Sequence, residues 1–172
     1  LYALSNHHDM AHIVGSALDA QALLPQDGEI TKRFRKKQML AIFRYHNIQN
    51  VFESVCAALE AANIRHVPLK GSVLRAYYPE PWMRTSCDID ILVREEDLAL
   101  AADAMEAAGY QNRKQGYHDI SLFSPGGVHV ELHFNLNENL PTMDAILGEV
   151  WQNASPVSEQ THMYAMTDAF LL

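Results

Sequence analysis

Two acidic residues, Asp88 and Asp90, are the first candidates for chemistry in this sequence. They open the segment 88–93, whose other residues are isoleucine, leucine and valine. Such a composition predicts a buried β-strand. Because side chains alternate between the faces of a strand, both carboxylates share one face while Ile89 and Ile91 point into the core. Oxygen ligands placed in this way suit Mg²⁺ or Mn²⁺, although a solvent-facing strand that binds no ligand has the same pattern.

A third acidic residue, Glu131, lies in a later segment with a similar alternation. Apolar residues occupy every second position from 128 to 134, so Glu131 shares the opposite, polar face with His129 and His133. If the two strands are neighbours in one sheet, three carboxylates converge. Like charges at close range repel each other, and a divalent cation removes that repulsion. The two histidines either orient Glu131 and contact the substrate or have a structural role.

The turn formed by Lys70, Gly71 and Ser72 is a candidate phosphate site, since it follows a predicted strand and precedes a predicted helix. Glycine allows a ligand to approach the backbone closely, and the first N–H groups of a helix bind phosphate oxygens. The serine hydroxyl adds a donor, and Lys70 adds a positive charge. The alternative is that Gly71 and Ser72 only begin the helix and that Lys70 is solvated.

A predicted alternation of strands and helices positions these candidates. Strands are expected at 66–69, 88–93, 118–123 and 128–134, and helices at 71–78 and 95–108. The segment Ser124–Gly127 is a hairpin signal between the last two strands. This order predicts a small α/β domain.

A helical segment is predicted ahead of this domain, over residues 1–62. It is expected to contain three helices: one capped by Asn6, one over residues 29–45, and one beginning at Asn50. The apolar stripe of each helix follows the 3.6-residue period that indicates a single buried face.

The chain is therefore expected to have three parts. These are a helical segment of residues 1–62, a core of residues 63–140, and a C-terminal helical extension of residues 141–172. The last residues, from Asp168, have the pattern of the start of another amphipathic helix. We therefore expect the extension to be incomplete and the chain to be part of a longer protein.

The composition excludes several functional classes. Of the 172 residues, 48% are hydrophobic, which is enough for a buried core. Thirteen Lys and Arg against 21 Asp and Glu give a net charge of −8, which disfavours general binding to DNA or to an anionic membrane. No apolar run approaches the roughly 18 residues of a membrane span. Cys56 and Cys87 are too few for a disulfide framework, so we expect a reduced, cytoplasmic protein.

Two other clusters carry weaker chemical signals. His8 and His12 have the spacing of a zinc-hydrolase helix motif, but aspartate replaces its glutamate and no third ligand is apparent, so a surface cluster is expected. The basic run 32–37 carries five of the 13 positive charges. It predicts either a solvated helix face or a contact with an RNA backbone.

The three candidate motifs together resemble the nucleotidyltransferase superfamily. They are the Gly-Ser turn at 71–72, the Asp-Ile-Asp strand at 88–90 and the Val-Glu-Leu strand at 130–132. More narrowly, the chain resembles an uncharacterised bacterial group of nucleotidyltransferase-like proteins. The residues that carry this resemblance are Pro68-Leu69-Lys70-Gly71, Arg84 before the acidic pair, Gly109-Tyr110 and Glu131-Leu132-His133. The resemblance covers about residues 64–136. One departure is the 15-residue gap between Ser72 and Asp88, which a loop containing two prolines is expected to absorb.

The resemblance implies both a fold and a reaction. The fold is a small mixed sheet with packed helices, here preceded by the helical segment. The reaction moves a nucleoside monophosphate from an NTP to an acceptor hydroxyl or phosphate and releases pyrophosphate. The residues implied to hold the metal ions, Mg²⁺ or Mn²⁺, are Asp88, Asp90 and Glu131, and Glu131 is also a candidate for deprotonating the acceptor.

The resemblance also implies that Gly71 and Ser72 hold the triphosphate. Lys70 and Arg84 are further candidates for phosphate contacts because of their charge and their proximity in the sequence. The acceptor stays open among a small molecule, an RNA and a protein. Two alternatives to the enzyme of unknown acceptor are a non-catalytic nucleotide- or partner-binding module and a toxin-like enzyme that modifies tRNA or protein.

Overall fold

A computed structural model describes residues 1–136, 144–145 and 147–167. Its helices are α1 (Tyr2–His7), α2 (Ala11–Ala20), α3 (Glu29–Ala61), α4 (Gly71–Leu74) and α5 (Leu98–Ala107). Its strands are β1 (His66–Pro68), β2 (Asp88–Val93), β3 (Gln111–Gln115), β4 (Asp119–Phe123), β5 (His129–His133), β6 (Ala154–Pro156) and β7 (Tyr164–Met166). Short 3₁₀ helices lie at Arg75–Tyr77, Pro81–Met83 and Glu95–Asp97.

The main sheet has five strands in the order β1-β2-β5-β4-β3. Strands β2 and β5 are parallel, whereas the other neighbouring pairs are antiparallel. The predicted fold class, a small mixed sheet with packed helices behind a helical segment, is therefore confirmed.

The chain forms two compact units. One contains residues 1–47 and 74–85, and the other, which we call the sheet unit, contains residues 48–73 and 86–172. The predicted helical segment of residues 1–62 is helical in α1, α2 and α3. The three-part division at residues 62 and 140 stays a prediction.

One face of the sheet carries the main hydrophobic core. Apolar side chains of β2 and β5 point to this face, where α5 and the end of α3 cover them. The fully buried members include Val55, Leu59, Ile89, Ile91, Ala101, Ala102, Met105, Val130 and Leu132. The opposite face has a smaller cluster of Val67, Leu69, Leu92 and Val150. The rest of that face carries polar residues of β2, β4 and β5, and it holds the candidate site.

The first predicted helix is two helices, so the prediction of Asn6 as its cap was wrong. Asn6 lies inside α1, which ends at His7 and is followed by Asp9 in a left-handed conformation with φ of 53°. The amide of Met10 donates to the carbonyl of Ser5 at 2.7 Å, and that of Asp9 donates to Asn6 at 3.2 Å. This pair of bonds is the Schellman motif that ends a helix. His8 follows the end of α1 whereas His12 lies in α2, where it is buried and not part of a surface cluster as expected, and its Nε2 hydrogen-bonds the carbonyl of Met83 at 3.1 Å.

The second and third predicted helices are one continuous helix, α3. The predicted capping box at Asn50 does not form, because Asn50 lies inside the helix; the side chain of Glu53 accepts a hydrogen bond from that of Gln49 at 3.0 Å. No glycine or proline occurs between residues 29 and 61, so nothing in the backbone chemistry ends the helix earlier.

Strand β3 was missed because it has no apolar alternation. Its residues, Gln111–Gln115, are polar and all exposed. It is an edge strand that pairs with β4 across an irregular register. Polar and charged residues at an edge protect a sheet from pairing with other chains, which explains the sequence but also hides it from a hydrophobicity pattern.

The described part of the predicted C-terminal helical extension, residues 141–172, is helical at 144–145 and 147 and then contains two strands. β6 and β7 form an antiparallel pair, and β6 ends at Pro156. Proline disfavours a helix at this position because it has no backbone N–H group to donate. The helix predicted from Asp168 lies outside the described residues. Across the described ranges, no helix has both the length and the apolarity to cross a bilayer.

Candidate active site

The parallel pair β2 and β5 brings the predicted acidic residues into one row. Asp90 lies directly opposite Glu131 in the register, and Asp88 lies opposite His129. Both strands present these residues on the polar face, because their apolar residues Ile89 and Val130 are fully buried on the other. The convergence therefore follows from alternation together with strand adjacency.

Asp90 is the most deeply buried carboxylate of the row, with 2% of its surface exposed. Its Oδ1 accepts a hydrogen bond from Lys70 Nζ at 2.8 Å and lies 3.0 Å from His133 Nε2. Burial acts to raise the pKa of Asp90, but the hydrogen bonds and positive charges of His133 and Lys70 outweigh it and lower the pKa from 3.8 to about 2. Asp90 is thus an anion over the whole physiological pH range.

His133 links the two central carboxylates. Its Nε2 lies 3.1 Å from Glu131 Oε2 as well as close to Asp90. The imidazole is buried and stacks on His118, with ring centroids 5.5 Å apart and an interplanar angle of 8°. Its Nδ1 is buried and has no hydrogen-bond partner among the described residues. The ring is therefore fixed in place by packing, with one nitrogen aimed at both carboxylates.

The chemistry of Asp90, Glu131 and His133 fits a divalent cation. One ligand atom from each residue lies within 4.8 Å of the other two. Among the described residues, this is the group of three His, Cys, Asp or Glu side chains that is close enough to hold a metal ion. Two carboxylates suit Mg²⁺ or Mn²⁺, and an imidazole is accepted more readily by Mn²⁺. Asp88 is on the same face but is not a member of this group, and its predicted role as a metal ligand stays a prediction.

The turn that precedes the site places Lys70 against the carboxylates. Lys70 is in the left-handed region with φ of 44°, and the amide of Leu69 donates to the carbonyl of Asp90 at 3.0 Å. This backbone bond fixes the turn next to β2. A Cβ on Gly71 would lie 2.9 Å from Cβ of Ser86, so the glycine is required here by close packing of the chain.

Ser72 follows in the first turn of α4, and its Oγ is buried without a hydrogen-bond partner among the described residues. Buried hydroxyl groups are rarely left in this state in folded proteins. The predicted contact of Ser72 with phosphate stays a prediction.

The negative charges of all three acidic residues act on the ammonium group of Lys70. Burial acts to lower the pKa of its ammonium group, but the hydrogen bond to Asp90 and the charges of Asp90, Glu131 and Asp88 outweigh it and raise the pKa. Its side chain is 62% exposed, in contrast to the buried carboxylate that it contacts. Sequence analysis placed this lysine near phosphate groups and did not foresee the ion pair.

A second polar pair flanks Glu131 and joins the predicted His129 to Ser121, a residue that the sequence did not single out. Ser121 in β4 lies opposite Glu131 in the register, and its Oγ is 2.8 Å from His129 Nε2. His129 Nδ1 is 3.6 Å from Glu131 Oε1. Ser121 is at an alternate position to the buried residues Ile120 and Leu122 of β4, so alternation alone would have placed it on the polar face of the sheet.

Arg84 lies in the other compact unit, where its side chain donates to the carbonyl of Thr85 at 2.6 Å. Its predicted phosphate contact stays a prediction. The basic run 32–37 is on α3, where Lys32 pairs with Glu29 and Arg35 pairs with Asp19. These pairs account for two of the five basic residues as ordinary surface ion pairs.

Comparison with known families covers the whole sequence. A family profile described as "Uncharacterised nucleotidyltransferase" matches residues 1–172. The chain belongs to this family. No curated protein sequence matches the chain. The nucleotidyltransferase match includes the helical segment and the β6–β7 region, which lie outside the residues that carried the resemblance. Family membership and the Asp90–Glu131–His133 group together support a general nucleotidyltransferase role, with an NTP as the substrate.

Proposed function

We propose that this nucleotidyltransferase family member moves a nucleoside monophosphate from an NTP to an acceptor hydroxyl or phosphate and releases pyrophosphate. The observation that carries the proposal is the row of Asp90 and Glu131 on adjacent parallel strands, with His133 in contact with both. Like charges at this distance are costly unless a cation compensates them, and Lys70 and a divalent metal ion are the cations that this site suits.

Asp90, Glu131 and His133 would hold Mg²⁺ or Mn²⁺, with Asp88 as a further ligand from the same strand face. A bound divalent ion supplies charge neutralisation for the phosphates and for the oxygen that leaves. The buried position of Asp90 and the stacked ring of His133 fix these ligand atoms before substrate arrives. Fixed, correctly aimed charges contribute more to catalysis than charges that must reorganise.

The NTP would be held by the turn at Lys70, Gly71 and Ser72. In the transfer step, an acceptor oxygen forms a bond to the α-phosphorus while the bond from that phosphorus to the bridging oxygen breaks. Pyrophosphate leaves with that electron pair. The acceptor proton goes to Glu131, whose other neighbours are His129 and His133. Positioning and charge stabilisation supply most of the acceleration in this type of reaction.

The decisive test is the double variant Asp88→Asn with Asp90→Asn. We expect it to lose metal-dependent NTP turnover and metal-enhanced NTP binding while it keeps the fold. Pyrophosphate release and calorimetry with ATP, CTP, GTP and UTP, with and without Mg²⁺, measure both. The matched control is Glu95→Gln with Glu96→Gln, which removes two exposed carboxylates from the same unit. Unchanged turnover in the Asp88 and Asp90 double variant would overturn the proposal.

The same measurements separate the enzyme from a binding module. Nucleotide binding without metal enhancement and without turnover favours the non-catalytic module. Labelling a cell lysate with NTPs that carry ³²P at the α-position identifies the acceptor class, because label on RNA, on protein or on a small molecule separates by electrophoresis. Label on RNA or protein favours the toxin-like alternative.

The location of the protein in the cytoplasm stays a prediction.

A further inference from the structure

Lys70 contacts the carboxylate of Asp90, one of the three groups in this site that could hold a metal ion. Its Nζ is 2.8 Å from Asp90 Oδ1, and His133 Nε2 is 3.0 Å from that oxygen. Asp90 Oδ1 therefore has two hydrogen-bonding neighbours. A divalent cation on that oxygen would bring two positive charges within a few ångströms of each other, and at this range they repel strongly.

We propose that Lys70 is a built-in counter-cation of Asp90 that is displaced by the divalent metal ion and transferred to the phosphates of the incoming NTP. This inference rests on the proposed function and deepens it. It assigns Lys70 a role in coupling two binding events, in addition to holding phosphate. Lys70 would contact Asp90 before the metal ion binds and the NTP phosphates afterwards.

The position of Lys70 in the fold suits such an exchange. Its side chain is 62% exposed whereas that of Asp90 is 3% exposed, so the ammonium group can leave without opening the core. The backbone of the turn stays in place because the amide of Leu69 is bonded to the carbonyl of Asp90. By contrast, His133 is buried and stacked on His118, so it stays beside Asp90 when Lys70 leaves.

The exchange predicts that metal and nucleotide bind cooperatively. Without nucleotide, the metal ion must break the Lys70–Asp90 ion pair, which weakens its apparent affinity. With nucleotide, the phosphates accept the lysine and the carboxylate is free for the metal. By linkage, the metal must tighten nucleotide binding by the same factor.

The test is the Mn²⁺ affinity of the nucleotide-free protein, measured by electron paramagnetic resonance, for wild type and Lys70→Met. A hydrogen bond between charged groups contributes enough for its removal to tighten Mn²⁺ binding by about ten-fold. The variant should also bind a non-hydrolysable NTP analogue more weakly, and Mn²⁺ should enhance that binding less than in wild type. Lys114→Met, at an exposed site on β3, is the matched control and should change neither affinity.

Lys70→Asn is a second variant that keeps the fold testable, because asparagine tolerates the left-handed backbone that Lys70 adopts. It should also tighten Mn²⁺ binding. An independent measurement is the ¹⁵N resonance of the Lys70 ammonium group, assigned by its loss in Lys70→Arg. Pairing with a buried carboxylate should slow its proton exchange, and saturating Mg²⁺ should remove that protection.

The outcomes separate this inference from the proposed function. Equal or weaker Mn²⁺ binding in both Lys70 variants, with metal-enhanced NTP binding intact in wild type, overturns the exchange and leaves the nucleotidyltransferase proposal standing. Protection of the ammonium group that persists at saturating Mg²⁺ also overturns the exchange. Absence of Mn²⁺ binding in wild type and in both variants overturns the exchange and the metal-dependent enzyme together.

Discussion

Two carboxylates of the sheet unit, Glu60 and Asp90, both have a pKa lowered to about 2, but they reach it by different means. Glu60 accepts bonds from the amide of His162 at 2.8 and 3.0 Å, from the amide of Met163 at 2.9 Å, and from the hydroxyl of Thr161. The imidazole of His162 adds a contact at 3.0 Å. All of these partners of Glu60 come from one segment, residues 161–163.

The partners of Asp90 are side chains from separate parts of the chain. Lys70 comes from the turn after β1 and His133 from the end of β5. Backbone amides are held in position by the path of the chain, whereas the exposed ammonium group of a lysine can move without any change in the backbone. A lowered pKa therefore does not by itself identify a functional carboxylate, since Glu60 and Asp90 share it with different donors. Glu60 fastens residues 161–163 to α3, and Asp90 is arranged for exchange.

The largest expected effect separates the two carboxylates by chemistry. Asp90→Asn keeps the size and one oxygen of the side chain but removes its charge, so we expect turnover to fall by about 10³-fold. Glu60→Gln should leave turnover within about two-fold, because Glu60 contacts none of the site residues described above. Pyrophosphate release at saturating NTP and Mg²⁺ checks both variants. A comparable loss of turnover in the two variants would contradict the distinction.

The imidazole of His133 is expected to contribute to metal binding beside Asp90. His133→Phe keeps an aromatic ring next to His118 but removes the nitrogen that contacts both carboxylates. Removing a ligand or its immediate hydrogen-bond partner weakens metal binding by roughly 10- to 100-fold. Mn²⁺ titration followed by electron paramagnetic resonance measures this loss. His129→Phe, on the same strand but 3.6 Å from Glu131, is the control and should lose less affinity.

The smallest expected effect is on stability and concerns Glu60. Burial acts to raise the pKa of Glu60, but the hydrogen bonds from Thr161, His162 and Met163 outweigh it and lower the pKa from 4.5 to about 2. A lowered pKa means that the stabilisation is complete above pH 4.5 and disappears as the pH falls toward 2. Because the side chain is partly exposed, we expect Glu60→Gln to lower the free energy of unfolding by only about 1–2 kcal/mol at pH 7.

Urea denaturation of wild type and Glu60→Gln between pH 7 and pH 3 tests this dependence. The difference in the free energy of unfolding should shrink toward pH 3, while Asp90 contributes equally to both proteins and cancels. Glu53→Gln, an exposed change on the same helix, is the matched control and should show little difference at any pH. A difference that is constant with pH would contradict the assigned role of Glu60.

The sequence predicted the elements that carry a clear period. Alternation over 88–93 placed strand β2 at its observed bounds and put Asp88 and Asp90 on one face. Alternation over 128–134 put Glu131 on the polar face and predicted the bounds of β5 to within one residue at each end. These patterns are local, and a hydrophobic period of two is strong evidence for a half-buried strand.

What the sequence could not provide is the pairing of distant residues. Asp90 and Lys70 are 20 positions apart, and Glu60 is 102 positions from His162. No spacing rule connects such residues, because the sheet order and the path of the chain bring them together. Strand β3 was lost for another reason, since an exposed polar edge has no apolar signal. The false capping box at Asn50 shows that a cap motif is overridden when the helix around it is uninterrupted.

The parallel pairing of β2 and β5 determines where the chain tolerates a change of length. Asp90 and Glu131 meet because each is at the right phase of a two-residue repeat, so one residue inserted between Val128 and Glu131 would turn the carboxylate into the core and an apolar side chain toward the metal ligands. The chain between the strands, residues 94–128, contains α5 and the hairpin of β3 and β4, and an insertion in its exposed turns leaves that phase untouched. Insertions that preserve metal binding should therefore be accepted in the turns before β5 and rejected within it.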